Sequence, residues 1–446
     1  MLALLLPSAL VGRSIQVDPG FDYFKGRSAE SVASELAVNG YRMVRYVVTD
    51  DDEVDDKLIE ALHARGMAVW YETFGNGFYG GPAGFPSGWQ AWQMKLLNLS
   101  GDQGYTFLSL SHPAYRKWKQ ARVVGTMRRH AFDGVEIVEP FQMGWDGPEK
   151  GLYGDLSPAA LTAFRNFSGF KAPPEFKDAN SPRWYKRDRS RYRKWVEFRV
   201  HEVNEFLRGI ALSVRRELPG KPLSVWALAN TSPDKSVGPV ELAREWQGID
   251  AVAMARATGC DEICFQTNWP DWSNPSLPSD YPLLYKPFIE PLRRAFPKLP
   301  FIIEADYGSS EANRRSREWI AGFEKACTEA GAAGSTAYMY SIAGWNYTEP
   351  PQVREAVAAD GRIKLVFQKR LERSSAEDVA NYILEPPCKV AVAHWDGNEV
   401  TLDAPALKRG SRYRLRVSGV KDDPKLWIFK GKTANACDQT IEVGGS

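Results

Sequence analysis

The chain is poor in the residues that metal and redox chemistry draw on. Its 446 residues include five His and five Cys, and no two Cys form a Cys-x-x-Cys pair, so no zinc site is expected. It also lacks a strong charge of either sign. The 57 Lys and Arg against 55 Asp and Glu leave a net charge of +2, which gives no electrostatic reason to expect a nucleic-acid partner. No apolar run reaches the ~20 residues of a membrane span, so stable membrane insertion is not expected. Internal repeats and low-complexity segments are absent as well.

The longest apolar stretch opens the chain, Met1-Leu2-Ala3-Leu4-Leu5-Leu6-Pro7 and onward to Val11. It looks like the apolar region of a secretory signal. Residues 1–13 are therefore read as a leader, and a secreted or periplasmic location is expected. Packing of the leader beneath the folded domain is the alternative. Cys388 and Cys437 are candidates for a bridge in an exported protein, whereas Cys260, Cys264 and Cys327 read as buried thiols.

What the chain has in quantity is aromatic residues, 12% of the total with 15 Trp. Two readings are open. They build a large core, or some of them line a cleft for sugars, whose C–H faces stack on aromatic rings.

Short apolar runs alternate with stretches of helical periodicity, the pattern of parallel strands with crossover helices. The runs are Ser14–Asp18, Tyr41–Val48, Met67–Thr73, Gly134–Glu139, Leu223–Ala229, Ile263–Thr267, Phe301–Ala305 and Ser335–Ser341. Asp250–Met254 competes for the sixth place. Eight such units predict a (β/α)₈ barrel over residues 14–384. A doubly wound open sheet would want a Gly-rich phosphate turn after its first strand, and Asp18-Pro19-Gly20 is not one. Residues 385–446 change to short alternating runs, at Val390–Ala393, Glu399–Leu402, Tyr413–Val417 and Leu426–Phe429. They predict a small antiparallel, sandwich-like β domain.

In such barrels chemistry gathers at the C-terminal ends of the strands. Strand four ends Glu136-Ile137-Val138-Glu139-Pro140, and strand seven runs Ile303-Glu304-Ala305-Asp306. A carboxylate in an apolar strand is costly unless it is paired or used. Two such strands ending in acid suit glycosidic bond cleavage, which needs a proton for the leaving oxygen and a carboxylate facing the anomeric carbon.

On these residues the chain resembles the retaining barrel glycosidases called clan A, or the 4/7 superfamily. The resemblance implies Glu139 as acid/base and Glu304 as nucleophile. It also implies a sugar-stacking role for Trp345, in Ala343-Gly344-Trp345-Asn346, and a hydrogen bond from Arg45 to the nucleophile. That clan carries Asn before the strand-four acid, where this chain has Val138. Strand four also resembles the chitinase pattern Asp-Gly-x-Asp-x-Asp-x-Glu, but Pro140 stands at its catalytic position.

Period-two alternation puts Glu136 and Glu139 on opposite faces unless the strand ends before Glu139, and Pro140 suggests that it does. Both stay candidates for the acid. The other reading of Glu136 is a structural pair with Arg45 inside the barrel. Substrate contacts are expected from Asp18, Arg45, Glu72, Tyr79, Asn230, Gln266, Asn268, Trp269, Asp306, Tyr340, Trp345 and Asn346. Asp18 and Asp306 also read as turn and loop caps, and Trp70, Trp226 and Tyr338 as core. The basic, aromatic stretch Arg183–Arg199 reads as a solvated helix face or a contact to an acidic glycan.

The expected function is hydrolysis of an oligo- or polysaccharide, with retention and without a cofactor. A carbohydrate-binding barrel without catalysis is the alternative. A lyase or epimerase would want His, Lys or metal ligands at strand ends, and these are scarce.

Overall fold

The computed structural model describes residues 12–78, 84–97, 106–144, 147–149, 152–231, 237–408 and 410–444. The expected leader and Tyr79 lie outside them. Among the described residues no helix is long and apolar enough to cross a membrane.

Eight parallel strands close into a barrel: β1 (Gly12–Val17), β2 (Met43–Val48), β3 (Ala68–Phe74), β4 (Gly134–Val138), β5 (Leu223–Ala229), β6 (Glu262–Thr267), β7 (Phe301–Asp306) and β8 (Gly334–Tyr338). Each strand pairs with the next in sequence, and β1 meets β8 at Gly12↔Gly334 to complete the ring. This is the (β/α)₈ fold that the alternation of runs predicts. Asp250–Met254 is not a strand. Asp250 instead caps the helix Ala251–Thr258 by accepting from Ala253 N–H, a role its short carboxylate suits. The eighth run stops at Tyr338 and continues as a 3₁₀ turn at Tyr340–Ile342.

Alternation along each strand sorts the side chains into two sets. Val135 and Ile137 of β4 and Val225 and Ala227 of β5 join the main core between strands and helices. Val138, Trp226, Cys264 and Ile302 form a separate cluster, and they belong to the inward-facing set. Local signals fix the helix starts. Ser28 accepts from Ser31 N–H before Ala29–Val38, and Asp55 accepts from Lys57 and Leu58 N–H before Asp56–Ala64.

The Arg183–Arg199 stretch leads into the long helix Arg189–Glu217, capped by Asp188. Part of its charge is structural. Arg199 is buried, lies over the Tyr153 ring at 4.1 Å and donates to the Met143, Gly154 and Trp246 carbonyls.

The C-terminal β unit begins earlier than residue 385. β9 (Val353–Ala359) and β10 (Arg362–Phe367) belong to a four-stranded antiparallel sheet with β12 (Val392–Asp396) and β13 (Glu399–Asp403). A second sheet holds β11 (Tyr382–Glu385), β14 (Arg412–Lys421) and β15 (Ala436–Gly444). One core joins the two. Leu426–Phe429 is not a strand: Leu426 ends a 3₁₀ turn, and Trp427 packs into the barrel's core. Polar contacts tie the unit to the barrel, including Arg27 Nη2 to Asn398 Oδ1 at 2.6 Å and Arg370 Nη1 to the Tyr23 carbonyl at 2.5 Å. Cys388 and Cys437, the candidates for a bridge, are free thiols, as are the other three cysteines.

Candidate active site

The C-terminal ends of the barrel strands open into a cavity of about 680 Å³. That is within the size range of small-molecule sites. Its walls include Glu139 from the end of β4 and Glu304 from β7. Asp18, Glu72, Gln266, Asn268, Trp269 and Asp306 also line it. The structure thus brings together eight of the residues singled out in the sequence.

Glu139 reaches the cavity by a break in the backbone. Its φ is 53°, a left-handed conformation that costs a non-glycine residue roughly 1–2 kcal/mol. β4 has ended at Val138, so strand alternation no longer dictates the direction of the next side chain. Gln266 Nε2 donates to Glu139 Oε1 at 3.1 Å. Gly75 permits this geometry: its N–H bonds the Val138 carbonyl at 2.5 Å, and a Cβ there would meet Pro140 Cα at 2.7 Å.

Glu136 lies elsewhere. It is fully buried, accepts from Arg45 Nη1 and takes the Trp226 indole N–H at 3.0 Å. Arg45 Nη2 reaches Glu262 Oε1 at 2.9 Å, and Arg45 Nε reaches Ser14 Oγ at 3.1 Å. The arginine is therefore held by an internal ion-pair network, not by Glu304 as the resemblance implied. Neither Arg45 nor Glu136 lines the cavity. Burial raises the Glu136 carboxyl to about 7, with Arg45 opposing and Glu262 adding to the rise.

Glu304 is buried and accepts from Thr267 N–H at 3.1 Å. Burial holds its pKa well above the usual carboxylate range, reinforced by Asp306 and Glu139 and opposed by backbone donors from Thr267 and Tyr338. Glu72 is likewise pushed well up by burial and by the charges of Glu136, Glu304 and Glu139, with Arg45 opposing. Asp306 accepts from Gly308 and Ser309 N–H at 2.8 and 2.7 Å, so it caps its loop as well as lining the cavity. Asp18 accepts from Gly20 N–H at 2.8 Å, which forms the expected turn.

The strand-eight expectation needs correction. Trp345 is buried, packs edge-on against Tyr340 at 5.6 Å and carries Arg317 over its ring at 4.1 Å. The Tyr340 hydroxyl lies 2.8 Å from Glu35 Oε1, and Asn346 Nδ2 donates to the Tyr340 carbonyl at 3.0 Å. None of the three reaches the cavity, and Asn230 does not line it either. Tyr338, at the end of β8, faces it instead. Trp226, read as core, also forms part of the wall.

Gln16, Phe21, Thr49, Phe74, Phe141 and Trp272 line the cavity without having been singled out. Two of them left a signal. Gln16 is two residues before Asp18 on the same strand face. Trp272 follows Trp269 by three on the one-turn helix Trp269–Trp272, a spacing that puts both on one side. Among the described residues, no group of His, Cys, Asp and Glu is arranged to hold a metal ion.

No sequence-family model matches the chain, and no characterised protein sequence matches it. Solved structures do match in fold. The glycoside hydrolase domain of PgaB (BpsB) from Bordetella bronchiseptica is 14% identical with a TM-score of 0.54, over 74% of this chain and 94% of that one. The β-galactosidase of Marinomonas ef1 is 13% identical with a TM-score of 0.51, over 75% of this chain and 56% of its own. That of Halorubrum lacusprofundi is 14% identical with a TM-score of 0.51, over 74% and 52%. The chain thus spans about half the length of these two galactosidases. The likeness is one of fold.

Proposed function

We propose that the protein hydrolyses a glycosidic bond in an oligo- or polysaccharide, with Glu139 as acid/base and Glu304 as nucleophile in a retaining mechanism. The observation that carries this is the convergence of Glu139 and Glu304, from β4 and β7, on one cavity walled by Trp226, Trp269 and Trp272. The glycoside hydrolase structures that share the fold support the same reading.

In the proposed reaction a sugar ring lies against the aromatic walls. Glu139 gives its proton to the leaving oxygen while the Glu304 carboxylate attacks the anomeric carbon. Glu139, now ionised, takes a proton from water, and the resulting hydroxide equivalent releases the sugar from Glu304. Glu304 must be ionised when substrate arrives. Burial, Asp306 and Glu139 work against that charge, and the Thr267 N–H works for it. The competent state therefore forms only above the ordinary range of a carboxylate.

The test uses wild type, Glu139→Gln and Glu304→Gln on aryl glycosides and polysaccharides of several sugars, with the anomer of the first product read by NMR. Hydrolysis with retention that both variants lose is the expected result. Full activity in both variants would overturn the assignment. Glycan binding by wild type without turnover would favour the binding barrel.

A further inference from the structure

We propose that the cavity selects a glycan carrying a free, protonated amine, an amino sugar, and that Glu72 receives the ammonium group. The proposal rests on the reading of the cavity as a glycan site and names the class of glycan.

The charge of the lining is one-sided. Asp18, Glu72, Glu139, Glu304 and Asp306 all face the cavity, and none of its described lining residues is Lys, Arg or His. Three cations outside the lining bear on these acids: Lys25 on Asp18, Arg315 on Asp306 and Arg45 on Glu72, and Arg45 is committed to Glu136 and Glu262 inside the barrel. Phe74, Trp226 and Leu228 give the cavity an apolar side, and a low-dielectric wall strengthens the field of the acids it surrounds.

Donors from the protein reach four of these acids. Gly20 serves Asp18, Gln266 serves Glu139, Thr267 serves Glu304, and Gly308 and Ser309 serve Asp306. Glu72 differs. Its residue is 2% exposed, and its Oε2 is buried with no hydrogen-bond donor. Burial and the neighbouring acids hold Glu72 well above the usual carboxylate range, so ionising its buried oxygen with no donor beside it is costly. An ammonium group offers three N–H donors and a full positive charge, whereas a sugar hydroxyl offers one donor and an acetamide no charge.

Tyr338, at the end of β8, lines the same cavity. Burial pushes its hydroxyl pKa up, and Asp18, Asp306, Glu72 and Glu139 add to the rise. A cation near Tyr338 would offset the repulsion among them. A sugar bearing a carboxylate or sulfate would add to it.

The experiment is calorimetric titration of wild type with glucosamine oligomers, N-acetylglucosamine oligomers and glucose oligomers at about pH 6, where the amine is charged. The amine series should bind at least tenfold more tightly than either neutral series. The margin should shrink as salt rises from low to physiological strength. In Glu72→Gln the ratio of amine to acetamide affinity should fall at least tenfold. Equal or weaker binding of the amine series overturns the proposal, as does a margin indifferent to salt. A ratio unchanged in a folded Glu72→Gln also overturns it, and the wild-type salt series decides the matter if that variant does not fold. Hydrolysis of the same oligomers is measured separately. Tight amine binding without cleavage sinks the catalytic proposal and leaves this one standing. Cleavage of neutral sugars alone does the reverse.

Discussion

Glu136 and Glu139 stand three residues apart at the end of one strand, yet only Glu139 faces the cavity. Glu136 is held inside the barrel by Arg45 and Trp226, while Glu139 turns out of the strand at φ 53° and meets Gln266. The two acids of one segment thus divide between structure and the proposed chemistry.

That division predicts opposite consequences of substitution. Arg45→Met leaves Glu136 and Glu262 buried without their shared cation, and should cost roughly 3–5 kcal/mol in urea unfolding. Glu139→Gln should change stability little and lower kcat by ~10²–10⁴-fold, the usual worth of a positioned acid or base. A large stability loss in Glu139→Gln, or none in Arg45→Met, would contradict this division.

The left-handed backbone at Glu139 can be tested without kinetics. Glycine adopts that conformation freely, whereas alanine bears the same strain as glutamate. Glu139→Gly should therefore be more stable than Glu139→Ala by about 1 kcal/mol, read from chemical denaturation midpoints.

Gly75 is expected to be intolerant of a side chain. A Cβ there would press on Pro140, next to Glu139. Gly75→Ala should lower kcat with a smaller change in KM, because it displaces the acid more than the walls. Unchanged kcat would show that the loop yields at no cost to the site.

Glu304 sets the expected pH dependence. Its folded-state pKa is raised above the unfolded value, so it favours the folded state below the unfolded pKa, and that advantage is lost as pH rises through the folded value. Glu304→Gln, which carries no charge to bury, should gain stability relative to wild type as pH rises over this window. By the same shift, kcat/KM of wild type should begin to fall on acidification at a pH above the ordinary glutamate range near 4.3. Thermal unfolding of both proteins from acid to neutral pH, with a pH–rate profile, checks both.

Much of this architecture was legible in the sequence. Eight apolar runs separated by helical periods point to parallel strands with crossover helices, and their number, with no Gly-rich phosphate turn after the first, favours a barrel over a doubly wound sheet. Barrel geometry then assigns chemistry to strand ends, which marked Glu139 and Glu304. Less was legible where side-chain direction depends on where a strand stops. The period-two pattern left Glu136 and Glu139 open, since it holds only while the backbone stays extended. Trp345 misled because an aromatic beyond a strand end can turn inward: here it meets Tyr340 and Arg317, and Tyr338 takes the cavity face. The start of the C-terminal sheets was missed although it leaves a local mark: β9 and β10 form a hairpin whose two-residue turn is Asp360-Gly361, both at positive φ, as Asp-Gly hairpin turns are, and only the pairing of β10 with β13 is long-range. Sequence alone therefore determined the fold class and the two acidic strand ends, through local periodicity and the cost of burying charge. Only the tertiary structure decided that Arg45 serves Glu136 and not Glu304, that Glu139 faces the cavity, and that Glu72 sits there without a donor on Oε2. Those relationships depend on which side chains meet across the barrel.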